Sequence, residues 1–211
     1  LIATVRHIDE LWLEWRRQLQ TGAEARQKKS LPLYARTKVF RIWNPNMVWG
    51  TFQTAEYAAA VFQQAVRFYD FPNDTDAAVA RRLERQRYLY EGERMYNVIL
   101  GEQALYSKFG GPDVMRDQLD RLLAVMGLPR VSLGVIPDTA DTAIWLGHSF
   151  SMFDDKRVLV ETFSAELSVI QSREIELYSR AFSLLRQSAV YGEVARALVL
   201  NARETFDRHH L

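Results

Sequence analysis

The stretch from Gly110 to Ile136 constrains the fold more than any other. Gly110-Gly111-Pro112 opens it, and Met115, Leu119, Leu122, Leu123 and Met126 then recur at helical spacing. That spacing places apolar side chains on one face of a helix. Proline suits the first helical position, where its missing N–H leaves no bond unmade. Gly127 and Pro129 close the helix, and the branched run Val131 to Ile136 reads as a strand. A one-faced helix that leads within a few residues into a strand argues for helices packed on a sheet.

The rest of the chain continues the alternation. Ile8, Leu11, Trp12, Trp15 and Leu19 form one stripe, which predicts an opening amphipathic helix. The polar stretch Gly22 to Ser30 breaks it, and Pro32 introduces a segment, Leu33 to Trp43, read as a strand. Asn44-Pro45-Asn46 marks a turn. Thr54 is placed to cap a second helix reaching Tyr69, with Tyr57, Val61, Ala65 and Phe68 as its stripe. A third helix is expected from Thr75 to Tyr90, with Val79, Leu83, Gln86 and Tyr90 on one side and Gly92 ending it. Met95 to Leu100 reads as a short strand and Glu102 to Lys108 as a helical turn. His148 to Phe153 and Arg157 to Thr162 read as a hairpin across Asp154-Asp155-Lys156. Two terminal helices follow, one striped by Ile175, Tyr178, Phe182 and Leu185, the other by Ala195, Leu198, Val199, Ala202 and Phe206, with Gly192 between them. The expected fold class is α+β, amphipathic helices packed around a small, mostly antiparallel sheet. One domain is expected over residues 1–211: a helical start to about residue 30, a mixed core over about 31–165, and C-terminal helices over about 172–207.

Several functional classes lose support at this level. The formal net charge is only +1, so no global field draws the chain to DNA or to an anionic membrane. With no cysteine, disulfides, thiolate metal sites and cysteine nucleophiles are excluded. No apolar run approaches the roughly 20 residues needed to span a bilayer, and Arg6, Asp9 and Glu10 interrupt any signal-peptide pattern. A cytoplasmic location is therefore expected. The four histidines do not form HExxH, and no GxSxG, GxxxxGK[ST] or GxGxxG motif is present. The expectation is that the chain is not an enzyme and uses no metal and no cofactor.

Polar clusters remain. Arg81, Arg82, Arg85 and Arg87 lie within seven residues. They could bind phosphates, contact a ligand or partner, or form a solvated, salt-bridged face, the last favoured because Glu84 and Glu91 are close by. Glu102 and Glu161 follow strand-like segments; internal salt bridges with those arginines are favoured over acid–base work. His148 is read as satisfied by a local hydrogen bond. Trp43, Trp49 and Trp145 lie outside regular stripes and suit either a core or a pocket.

Six segments, in order, resemble an actinobacterial domain of unknown function found behind an XRE-type helix-turn-helix in WhiJ-like regulators. Gly50-Thr51-Phe52-Gln53-Thr54-Ala55-Glu56-Tyr57-Ala58 resembles its PGLLQTxxYA element, and Arg82-Leu83-Glu84-Arg85-Gln86 its RxxRQ helix. Val98 to Leu105, Gly110 to Leu123, Val131 to Pro137 and Val160-Glu161-Thr162 with Tyr178, Phe182 and Leu185 complete the likeness, which runs from about Trp15 to Ala202. Trp49 stands where the family has proline, Thr51 and Phe52 replace two leucines, and Gly101 replaces an acid.

The resemblance implies the C-terminal regulatory, dimerisation and partner- or ligand-binding domain of a transcriptional regulator. DNA would be bound only through a helix-turn-helix preceding this chain, an expectation that Leu1 in place of methionine suits. A homodimer and a small partner protein encoded nearby are the expected partners. Gln53, Tyr57, Arg82, Arg85, Gln86, Glu102 and Glu161 match the family's motif positions and are the candidate ligand or partner contacts. The alternative is a small-molecule sensor with cryptic hydrolase-like activity.

Overall fold

The computed structural model describes residues 12–207. Its strands are β1 (Trp12–Glu14), β2 (Val39–Asn44), β3 (Met95–Gly101), β4 (Val131–Ile136), β5 (Phe150–Phe153), β6 (Arg157–Glu161) and β7 (Ala165–Val169). Its helices are α1 (Trp15–Gln18), α2 (Glu24–Arg36), α3 (Ala55–Tyr69), α4 (Thr75–Glu84), α5 (Pro112–Val125), α6 (Ser172–Ser188) and α7 (Gly192–Asp207). None of the helices among the described residues is long and apolar enough to cross a membrane.

The strands form one sheet in the order β1-β7-β6-β5-β2-β3-β4. The pairs β2–β3 and β3–β4 are parallel, and the others are antiparallel. This corrects the expected small, mostly antiparallel sheet: the sheet is large and mixed, within a fold that remains α+β. The physical reason lies in the connections. The segments between β2 and β3 and between β3 and β4 are long and carry helices, and such crossovers return the chain in the same direction.

Side chains alternate across the sheet with the two-residue period of a strand. Phe40 and Ile42 of β2, with Tyr96, Val98 and Leu100 of β3, join Met115, Leu119 and Leu122 of α5 and Val199 and Phe206 of α7 in one core. Trp43 and Ile99 point the other way and join Ile175, Phe182 and Leu185 of α6 in a second. The sheet is thus covered on both faces. A third cluster, Trp15, Leu19, Ala23, Phe62, Phe71 and Ala78, ties α1, α3 and α4 together.

Other local expectations also changed. The proposed opening helix lies partly outside the described residues; within them, Trp12–Glu14 is a strand paired with β7 and only Trp15–Gln18 is helical. The stretch read as a break and then a strand is the helix α2 as far as Arg36, with Pro32 inside it, and only its second part, from Val39, is the expected strand, β2. Its polarity hid the helix, because only Gln27 and Tyr34 of its residues are buried. The third expected helix ends at Glu84 and continues as a 3-10 turn, Arg85–Leu89. Phe68, expected on the core stripe of α3, is 65% exposed; the buried face is Tyr57, Ala58 and Phe62. The hairpin is present, with Asp154 in the left-handed conformation its tight turn requires.

Candidate functional site

The motif Gly50 to Ala58 begins as a short 3-10 turn and enters α3 through Thr54, whose Oγ accepts the Tyr57 N–H at 3.2 Å. Three buried or half-buried amides hold it. Gln118 of α5 accepts from Thr54 N (2.8 Å) and donates to Phe52 O (3.0 Å). Gln86 Nε2 donates to Gln53 O (2.6 Å), and Gln53 Nε2 to Val48 O (2.7 Å). Burial pushes the Tyr57 hydroxyl up, so it stays neutral and accepts the Val48 N–H at 3.3 Å.

This scaffold forms one wall of a cavity of about 600 Å³ between α2, the Gly50 turn, α4 and one face of β5–β7. A volume of that size suits a small-molecule ligand. Tyr34 and Trp49 stack on one side with ring centroids 6.1 Å apart. The charged lining is unbalanced: Arg26, Lys29, Arg36, Arg82, Arg85 and Arg157 face the cavity against only Glu161 and Glu166. That excess of four positive charges contrasts with +1 for the entire chain.

The arginines differ in how they are held. Arg26 Nη2 donates to Glu161 Oε1 (3.0 Å) and to Glu166 Oε2. Burial works against the Arg26 charge, but Glu166 and Glu161 together hold its pKa up. Burial in turn pushes the Glu166 carboxyl up, with Arg26 opposing. Arg85, 4% exposed, donates to Gln27 Oε1 (3.0 Å) and Ser30 Oγ (3.3 Å) and lies 4.6 Å over the Tyr34 ring. Arg82 donates to Gln53 Oε1 and lies 4.1 Å over Phe62. Neither Arg82 nor Arg85 makes an ion pair among the described residues. The Nε atoms of Arg26, Arg82 and Arg85 are all buried without a hydrogen-bond partner among the described residues.

The electrostatics follow from this arrangement. Burial, then repulsion from Arg85, pushes Arg82 down to about 9. Burial pushes Arg85 down as well; Arg26 adds to that, while Tyr34 and Glu161 oppose it. Neither guanidinium has an ion-pair partner among the described residues, so the pocket favours negative charge.

Of the seven residues chosen from the sequence, Gln53, Arg82, Arg85 and Glu161 line this cavity. Tyr57 and Gln86 stand behind it and brace the Gly50 turn. Glu102 lies elsewhere, its Oε2 accepting the Asp138 N–H at 2.9 Å. The expected salt bridges of Glu102 and Glu161 with the Arg81–Arg87 cluster do not form among the described residues; Glu161 pairs with Arg26 instead. The basic cluster divides by helical geometry: Arg82 and Arg85, three apart, face inward, whereas Arg81 pairs with Glu24 and Glu84 outside. Trp43 and Trp49 are buried, Trp145 is 81% exposed, and His148 meets the Tyr178 hydroxyl at 3.2 Å. Sequence reasoning missed Arg26, Tyr34, Gly50 and Glu166. Only Gly50 carried a signal, as the glycine of the motif.

A family model described as a domain of unknown function (DUF5753) matches residues 31–201. No curated protein matches the chain.

Proposed function

The chain belongs to the DUF5753 family, a domain whose function is unknown, and from that premise we propose that it is the effector-binding regulatory domain of an XRE-family helix-turn-helix transcriptional regulator of the WhiJ-like type. In this reading the cavity beside Gly50 receives a small molecule, the domain assembles as a homodimer, and DNA is contacted by a separate helix-turn-helix. The observation that carries the reading is the cavity itself, with buried guanidinium groups that the described residues leave without counter-ions. Such groups are costly in an empty pocket and useful in an occupied one.

The hydrolase alternative finds less support. The two carboxylates facing the cavity, Glu161 and Glu166, are both paired with Arg26, which favours their charged form, and no histidine is among the described residues that line the cavity.

Val61 lines the cavity from α3, so Val61→Trp adds bulk to the cavity wall while leaving every charged lining residue in the sequence. In the parent organism, transcript profiling of this variant at unchanged protein level is expected to show a regulon fixed in one state. Transcripts identical to those of the unaltered strain would refute the reading.

A further inference from the structure

We propose that the ligand of this cavity carries an oxyanion, a phosphate monoester or a carboxylate, seated between Arg82 and Arg85 directly over Gly50, with its apolar remainder against Tyr34 and Trp49. The inference rests on the reading of the cavity as the effector site and adds the chemistry of the effector.

Gly50 supplies the geometry. A Cβ placed on it would lie 3.4 Å from Arg85 Nη2, 3.6 Å from Arg82 Nε and 3.7 Å from the Arg82 guanidinium carbon. Those are its nearest neighbours, so the space the missing side chain leaves open is bounded by two cations. Gly50 is not in the left-handed region, so backbone conformation does not demand glycine here. What the glycine provides is close approach: with no side chain at Gly50, both guanidinium groups stand over this backbone at the cavity edge, and the Arg82 Nε, buried and without a hydrogen-bond partner among the described residues, is one of the groups beside it.

The second observation is independent of that gap. Guanidinium groups bind carboxylate and phosphate through several N–H donors at once. Two such groups held side by side without a carboxylate are matched by a ligand bearing the missing charge. Arg26 differs in having Glu161 and Glu166 as counter-ions. The pocket therefore distinguishes one neutralised arginine from two that await neutralisation. Lys29, Arg36 and Arg157 also line the cavity and add to the attraction. Tyr34, Trp49, Met47 and Val61 provide apolar wall for the rest of the molecule.

The test uses the 211-residue chain in a zwitterionic buffer at constant ionic strength set with chloride. Inorganic phosphate, phenyl phosphate, benzoate and phenol are titrated by calorimetry and by thermal melting. Phenyl phosphate is expected to bind and raise the melting temperature, and phenol to do neither. Binding of phenyl phosphate alone assigns a phosphate ester; equal binding of benzoate assigns the oxyanion in either form, and benzoate alone a carboxylate. Arg82→Met, and separately Arg85→Met, is expected to weaken binding by about tenfold to a hundredfold, the worth of one charge-assisted contact. Gly50→Ala is expected to weaken it similarly by filling the gap. Its added methyl makes only ordinary contacts in the empty pocket, so it keeps the test decisive should an arginine variant fold poorly. Glu102→Gln, outside the cavity, is expected to bind as the parent does.

Anions that bind no better than chloride, or equally well to Gly50→Ala and Arg82→Met, would overturn the proposal. If no anion binds but Val61→Trp still alters transcription, the oxyanion assignment alone fails. If anions bind as expected and Val61→Trp is silent in the cell, the regulatory reading fails and the binding site stands.

Discussion

Replacing Arg82 with methionine should leave the empty domain about as stable as the parent, an unusual outcome for a largely buried, hydrogen-bonded residue. The loss side has two parts. The bond from Arg82 to Gln53 disappears, worth about 1.5–3 kcal/mol for a charged donor. The guanidinium over Phe62 disappears as well, worth about 0.5–2 kcal/mol. Methionine keeps the apolar stem in place. On the other side stands the penalty for holding a cation in the interior with no ion-pair partner among the described residues, several kcal/mol after relaxation. Repulsion from Arg85 and Arg26 adds to it. The two sides nearly cancel, so the expected change is between a loss of about 1 and a gain of about 2 kcal/mol. At about 2–4 °C per kcal/mol for a domain this size, the melting temperature should fall by no more than about 4 °C. Urea and thermal unfolding, in buffer free of phosphate and sulfate, would read it. The sign with pH is also fixed. A cation whose folded pKa lies near 9, below its unfolded value, costs stability fully below pH 9 and progressively less above it. Any advantage of Arg82→Met over the parent should therefore shrink as the pH rises past 9. Arg26→Met provides the contrast: it strands Glu166 and should cost about 3–5 kcal/mol. A loss of 3 kcal/mol or more in Arg82→Met would show the guanidinium to be a structural brace and refute the reasoning.

Gln118→Leu should lower the unfolding free energy by about 2–4 kcal/mol in urea, because it leaves Thr54 N and Phe52 O without the partners they now have. Gly134→Ala should cost about 1–3 kcal/mol by thermal melting, since its Cβ would stand 2.6 Å from the Tyr191 ring; Gly111→Ala, with nothing within 4 Å, should show no such steric cost. Light scattering of the purified chain should give twice the chain mass, and a monomer throughout the micromolar range would remove assembly from the proposed function.

Much of the local structure was legible because it is encoded locally. The stripe of α5 between Gly111 and Gly127, the Thr54 cap of α3, and the hairpin at Asp154 each depend on residues a few positions apart. Where burial is slight, that signal fades. Residues 24–36 form a helix although the sequence shows mostly polar residues and an internal proline. The short strand β1 is defined by pairing across more than 150 residues, Trp12 opposite Leu167, and no local pattern announces it.

For the site, the sequence by itself determined that Arg82 and Arg85 share a face and that a glycine precedes the QT element. Helical spacing and chain order are local properties, and they needed nothing else. Only the tertiary structure decided what that face meets. It set Gly50 against both guanidinium groups, brought Tyr34 beneath Arg85, and gave Glu161 and Glu166 to Arg26 instead of to Arg82 and Arg85. The physical reason is that electrostatic energy depends on distance and burial, not on composition. A chain whose charges sum to +1 can therefore gather an excess of four around one cavity, and the sum does not reveal it.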